Sequence, residues 1–182
     1  MGSRGADVIR LQRRLTELGY NPGAINGRYN MHSCYAVVAF QKVNGLSRDG
    51  AAGKSTLRAL SYPKIIKARY KGDHVEVNKA LQVLLIVRGG KVTKIFPVST
   101  GRHGHTTPSV TARVYSKPGY QYRSKKYDGI MTWTSFFYSG VAVHGYPSVP
   151  TKPASHGCVR VPIVDCKYIY NNMPMGSLVY VY

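Results

Sequence analysis

Cys158 lies in Ser155-His156-Gly157-Cys158-Val159-Arg160, and a second histidine stands fourteen residues earlier in Val143-His144-Gly145. A thiol with two histidines near it in sequence is a candidate nucleophile with its own base. The thiolate is the reactive form, and a free cysteine of pKa about 8.5 is mostly protonated at neutral pH. An imidazole within reach can take that proton. Arg160 adds a positive charge that favours a thiolate or holds a substrate carboxylate.

These residues must be held by elements that the rest of the chain supplies. From about residue 65 onward, apolar runs rich in Val, Ile and Tyr predict strands at 74–78, 81–87, 91–99, 110–115, 136–144 and 178–182. Gly89-Gly90 between two of them signals a hairpin. Pro162 starts a helix that carries Val164, Tyr168 and Ile169 and ends near Met173-Pro174. Upstream, residues 5–61 have helical texture. Asp7 is placed to cap a helix through Val8, Leu11, Leu15 and Leu18; a second runs from about Ser33 through Ala36, Val37 and Phe40; a short third holds Leu57 and Leu60. Three such helices alone bury little surface, so a small and modestly stable unit is expected. The fold class is therefore α+β. Residues 1–61 form a helical domain, 62–72 a linker, and 73–182 a mainly antiparallel β-sandwich or barrel-like domain with one helix after Cys158.

The His144-Gly145 and Ser155-to-Arg160 segments resemble the signature of the L,D-transpeptidases (YkuD-like). Val98-Ser99-Thr100-Gly101, Thr107-Pro108-Ser109, Gly129-Ile130-Met131, Phe136-Phe137 and Gly176-to-Val179 extend the resemblance over roughly residues 73–182. Residues 5–61 resemble a peptidoglycan-binding domain, through Leu11-Gln12, Gly19-Tyr20, Asn26-Gly27, Phe40-Gln41, Gly45-Leu46 and Asp49-Gly50. In that domain Asn30-Met31-His32 stands where a Gly-containing turn is usual.

The resemblance implies a reaction on peptidoglycan stems. Cys158 attacks the carbonyl joining the third stem residue to D-alanine four, D-alanine leaves, and an acceptor stem amine resolves the thioester. Water as acceptor makes the same enzyme an L,D-carboxypeptidase. His144 is the expected base, oriented by a backbone carbonyl near Gly145, and the amides of Gly157 and Cys158, with His156, are expected to form the oxyanion hole. His156 is either catalytic or a structural hydrogen-bonding residue. Arg160 binds the substrate carboxylate or forms an ion pair; Ser155, Gly145, Met131 and Trp133 are expected on the substrate side. No metal or cofactor is implied.

The net charge of +19, from 26 Lys and Arg against 7 Asp and Glu, predicts a polyanionic partner and leaves anionic wall polymers open. Residues 116–133, with Tyr115 just ahead of them, interleave Lys117, Arg123, Lys125 and Lys126 with Tyr120, Tyr122, Tyr127 and Trp133, which reads as a lid over the donor stem or a solvated loop. A nucleic-acid binder lacks a recognition helix or phosphate-cradling loop here. A zinc peptidase fits poorly too, since none of the six histidines has an Asp seven residues on. No apolar stretch is long enough to span a membrane. Cys34 and Cys166 read as small buried residues. No signal peptide is visible, and Met1-Gly2-Ser3 reads as a start joined to a mature region, so that absence says little about secretion; the resemblance implies an extracytoplasmic protein of the cell wall or periplasm, and a monomer is expected.

Overall fold

Val8, Leu11 and Leu15 share the buried face of the first helix, α1 (Ala6–Glu17). The structure, a computed structural model, describes residues 1–124 and 129–182. Gly5 occupies the cap position of α1, and Asp7, expected there, stands in the first turn instead, paired with Arg10. A carboxylate in that turn still complements the positive helix end. The second helix, α2 (Met31–Asn44), begins two residues before Ser33 because Asn30 caps it, its side chain accepting the Ser33 amide at 3.1 Å. Asn30-Met31-His32 thus builds a capped helix start. The third helix is α3 (Lys54–Ser61).

Among the described residues nine strands and one helix follow: β1 (His74–Asn78), β2 (Val83–Arg88), β3 (Lys91–Pro97), β4 (Val110–Arg113), β5 (Ser116–Arg123), β6 (Ile130–Tyr138), β7 (Val141–Tyr146), β8 (Val159–Pro162), α4 (Ile163–Asn171) and β9 (Leu178–Val181). They make two open sheets, ordered β3-β2-β1-β9-β4 and β5-β6-β7-β8, and neither closes into a barrel. β1–β9 and β7–β8 pair in parallel. The remaining pairs are antiparallel. Gly89 and Gly90, both at positive φ (56° and 75°), make the tight β2–β3 turn. The expected strand over 136–144 is two strands, broken at Ser139-Gly140, where φ is 37° and 77°. The stretch 116–133, expected as a lid over the donor stem or a solvated loop, holds edge strand β5 and the start of β6. The expectation placed on Lys125, Lys126 and Tyr127 lies outside the described residues.

Between the sheets lies one core, with Val75, Leu84, Ile86, Phe96 and Val179 on one side and Phe137, Val143, Val159 and Val161 on the other, closed by Ile169 of α4 and by Met173 just after it. Strand β2 is buried on both faces. Side chains alternate along a strand, so Leu84 and Ile86 enter this core while Val83, Leu85 and Val87 point the opposite way, into Leu11, Leu15, Val37, Phe40 and Leu60 of the helices. That explains the continuous apolar run of β2, and why α2 is buried at every position from Ala36 to Val43. Ile66 and Ala68 of the connecting segment also pack on this second cluster. The helices therefore complete their core with the sheet.

Candidate active site

The parallel register of β7 and β8 sets Val143 opposite Val159 and His144 opposite Arg160. Both valines point into the sandwich core, so alternation turns His144 and Arg160 together to the other face. Cys158, one residue before β8, arrives beside the start of β7, its Sγ 3.9 Å from the Gly140 carbonyl oxygen. Spacing in sequence thus becomes adjacency across one ladder.

His144 is buried, with Nδ1 3.0 Å from the carbonyl oxygen of Gly145. A carbonyl can only accept, so Nδ1 carries the proton and Nε2 keeps a lone pair. The orienting group is the backbone carbonyl anticipated from sequence. Burial, reinforced by Arg160 and partly opposed by the Gly145 contact, pushes the His144 pKa down to about 4. Burial pushes the Cys158 thiol up, against the pull of a backbone contact at Ala142 and of Arg160. At neutral pH the pair rests as thiol and neutral imidazole, a form in which the ring can accept a proton.

Cys158, His144, His156, Ser155, Arg160 and Met131 line a pocket of about 180 Å³ together with Tyr146, Ser124, Gly129 and Ile130, which sequence reading left out. Tyr146 could have been found, since it lies two residues beyond His144 on one strand and so shares its face. The Arg160 guanidinium lies 4.1 Å from the centre of the Tyr146 ring. Among the described residues no carboxylate pairs with Arg160. His156 is exposed and meets His105 edge-on, ring centres 5.0 Å apart. Desolvation, then the neighbouring Arg102, His105 and Arg160, hold its pKa below the usual histidine value. Among the described residues, no three His, Cys, Asp or Glu side chains gather in a metal-binding arrangement.

Other expected site residues sit elsewhere. The Gly157 amide, expected in the oxyanion hole, donates to Ser155 Oγ at 3.1 Å. Ser155 Oγ in turn donates to the Cys158 carbonyl, so that hydroxyl is committed to the turn although the residue borders the pocket. Gly157 has φ of 120°, a conformation that makes this turn possible without a side chain. Gly145 is needed for packing, since a Cβ there would sit 2.7 Å from Cβ and Sγ of Cys166 on α4. Trp133 lies outside the pocket lining. Its ring packs against Tyr120 and Tyr170, at 5.5 and 5.1 Å, with Lys167 Nζ 5.4 Å away. The register of β6 breaks between Thr132 and Ser135, and Trp133 has φ of 51°, so the alternation that would aim it with Met131 fails there. Cys166 is buried as expected, Cys34 only half-buried, and no cysteine forms a disulfide.

Residues 72–181 match the L,D-transpeptidase catalytic domain family, and residues 4–60 match the putative peptidoglycan binding domain family. A crystal structure of an L,D-transpeptidase from Xylanimonas cellulosilytica superposes with a TM-score of 0.92 at 37% identity, covering 100% of this chain and 95% of that one. The N-acetylmuramoyl-L-alanine amidase CwlM of Mycobacterium tuberculosis is 38% identical over 58 residues, 32% of this chain and 14% of that protein. A spore cortex-lytic enzyme of Oceanobacillus iheyensis is 33% identical over 118 residues, 60% of this chain and 41% of that protein. Both curated relatives are thus matched over less than half of their own length. Among the described residues no helix is long and apolar enough to cross a membrane. With a YkuD catalytic domain over most of its length and a peptidoglycan-binding domain ahead of it, the chain belongs to the L,D-transpeptidase family.

Proposed function

We propose that this chain is a cysteine-dependent L,D-transpeptidase acting on peptidoglycan tetrapeptide stems outside the cytoplasm. The observation that supports the reading is the β7–β8 ladder, along which a half-buried thiol, an oriented neutral imidazole and a guanidinium that meets no carboxylate among the described residues line one pocket. His144 Nε2 takes the Cys158 proton as sulfur attacks the carbonyl before the terminal D-alanine. The same ring returns that proton to the departing amine. The Cys158 amide steadies the developing oxyanion, because the Gly157 amide is engaged with Ser155. Arg160, its guanidinium over the Tyr146 ring, holds the terminal carboxylate of the donor. An acceptor stem amine resolves the thioester; water in its place gives the carboxypeptidase outcome.

The test incubates the protein with a tetrapeptide-stem disaccharide and identifies products by mass spectrometry. The parent is expected to release D-alanine and form a cross-linked dimer, and Cys158→Ala to do neither while staying folded. Turnover surviving in Cys158→Ala, or cleavage between the two D-alanines of a pentapeptide stem, would overturn the reading.

A further inference from the structure

Lys42, on the helical side of the molecule, is 1% exposed, and its ammonium meets no carboxylate among the described residues. It donates instead to two carbonyls of the other domain, Gln82 O at 3.0 Å and Val98 O at 2.8 Å. Burial, with Arg48 nearby, lowers its pKa to about 7. A desolvated lysine held only by backbone is costly where an apolar side chain would pack more cheaply. What it holds leads to the nucleophile.

We propose that Lys42 is a positioning residue for the nucleophile turn, which makes the peptidoglycan-binding domain a structural part of the catalytic site. The connection is continuous. Gln82 sits at the base of the β2–β3 hairpin with φ of 60°, and its carbonyl also accepts the Val98 amide. Its side chain grips Thr100 from both ends, Nε2 donating to Oγ1 at 2.6 Å and Oε1 accepting the amide at 2.9 Å. The Thr100 carbonyl accepts the amides of Ala154 and Ser155, at 2.9 and 3.0 Å. Ser155 Oγ then ties Gly157 and Cys158. On a second branch, Ser99, next to Val98, exchanges both backbone hydrogen bonds with Arg160 at 3.0 Å. A non-glycine residue at positive φ persists only where its surroundings over-determine it, and Lys42 supplies one such constraint on Gln82. Every link beyond Gln82 is a hydrogen bond of 3.1 Å or less between buried or partly buried groups, so a shift at Val98 is passed to Cys158 and Arg160.

This rests on Cys158 being the nucleophile, and the experiment separates the two claims. Full-length Lys42→Met keeps the stem and removes the donors; His32→Ala cuts another contact between the domains, His32 to Asp165 at 3.2 Å, that lies off this path. Melting temperature, kcat and KM on the tetrapeptide stem, and the rate of Cys158 alkylation by iodoacetamide are measured for each. Lys42→Met is expected to lower kcat about ten- to a hundredfold with KM within about twofold, and to change the alkylation rate. His32→Ala is expected to melt lower yet keep both rates. A folded Lys42→Met with parental kcat and alkylation rate overturns the proposal, as does an equal loss in His32→Ala. Should Lys42→Met be unfolded at the assay temperature, Gln82→Leu cuts the next link and is judged by the same outcomes. A parent that turns over no stem defeats the proposed function instead, and alkylation still decides the role of Lys42.

Discussion

At the scale of single residues, the decisive feature is that His144 and Cys158 both rest uncharged. A histidine that must accept a proton is silent once protonated, so activity is lost as pH falls through the ring's own pKa. With that value pushed down to about 4, the acid limb of kcat/KM is expected near pH 4, well below the ordinary histidine value of about 6.5. A limb near 6.5 would show an imidazole far less buried than His144. His144→Ala is expected to cost about 10²–10⁴ in rate with the melting temperature little changed, read from the same assay. The grouping of Cys158, Arg160 and His144 was legible in the sequence because all three lie in two short motif segments, and the structure lines one pocket with them. Trp133 was not, because a register break and a positive φ on β6 cancel strand alternation there. Lys42 was illegible for a different reason. A lysine on a helix reads as solvent-facing, and only the sheet packed over it makes it buried.

At the scale of elements, capped starts and two-faced strands explain both what could be read and what could not. Asn30-Met31-His32, which stands where a Gly-containing turn is usual, is the start of α2, with the Asn30 side chain accepting the Ser33 amide as a cap. Asn30→Ala is therefore expected to destabilise the protein by about 1 kcal/mol and to lower its melting temperature by about 2–4 °C, with the stem reaction unchanged; a melting curve overlying the parent's would show the cap to be idle. The strands of the first sheet were recovered nearly to the residue at His74–Asn78, where valines alternate with polar residues. β5 was missed because it is an edge strand of half-exposed Tyr, Lys and Gly residues, a composition that a loop shares. β8 was missed because its four residues, two of them inside the thiol motif, leave no room for a period to show.

At the scale of the whole molecule, the expectation of a small self-sufficient helical domain gives way to a shared core. Leu11, Leu15, Val37 and Phe40 are covered by Val83, Leu85, Val87 and Ile95 of β2 and β3, and each such aliphatic chain left in water costs about 1.5–3 kcal/mol. Residues 1–61 prepared alone are expected to melt far below the intact protein or to lack a folding transition, by circular dichroism; a fragment as stable as the parent would mean that the helices close without the sheet. Binding of the intact chain to insoluble peptidoglycan, not of that fragment, is then the proper measure of the first domain. The parallel pairing of β1 with β9 carries a separate consequence for how the molecule is made. β9 lies in the interior of its sheet, between β1 and β4, yet it is laid down after every other described element. Until it arrives β1 and β4 each present an unpaired edge, and joining them requires closing a loop of roughly a hundred residues, a slow long-range step. During synthesis this sheet therefore stays incomplete until β9 is available, a window in which β1 and β4 expose unpaired edges to other chains.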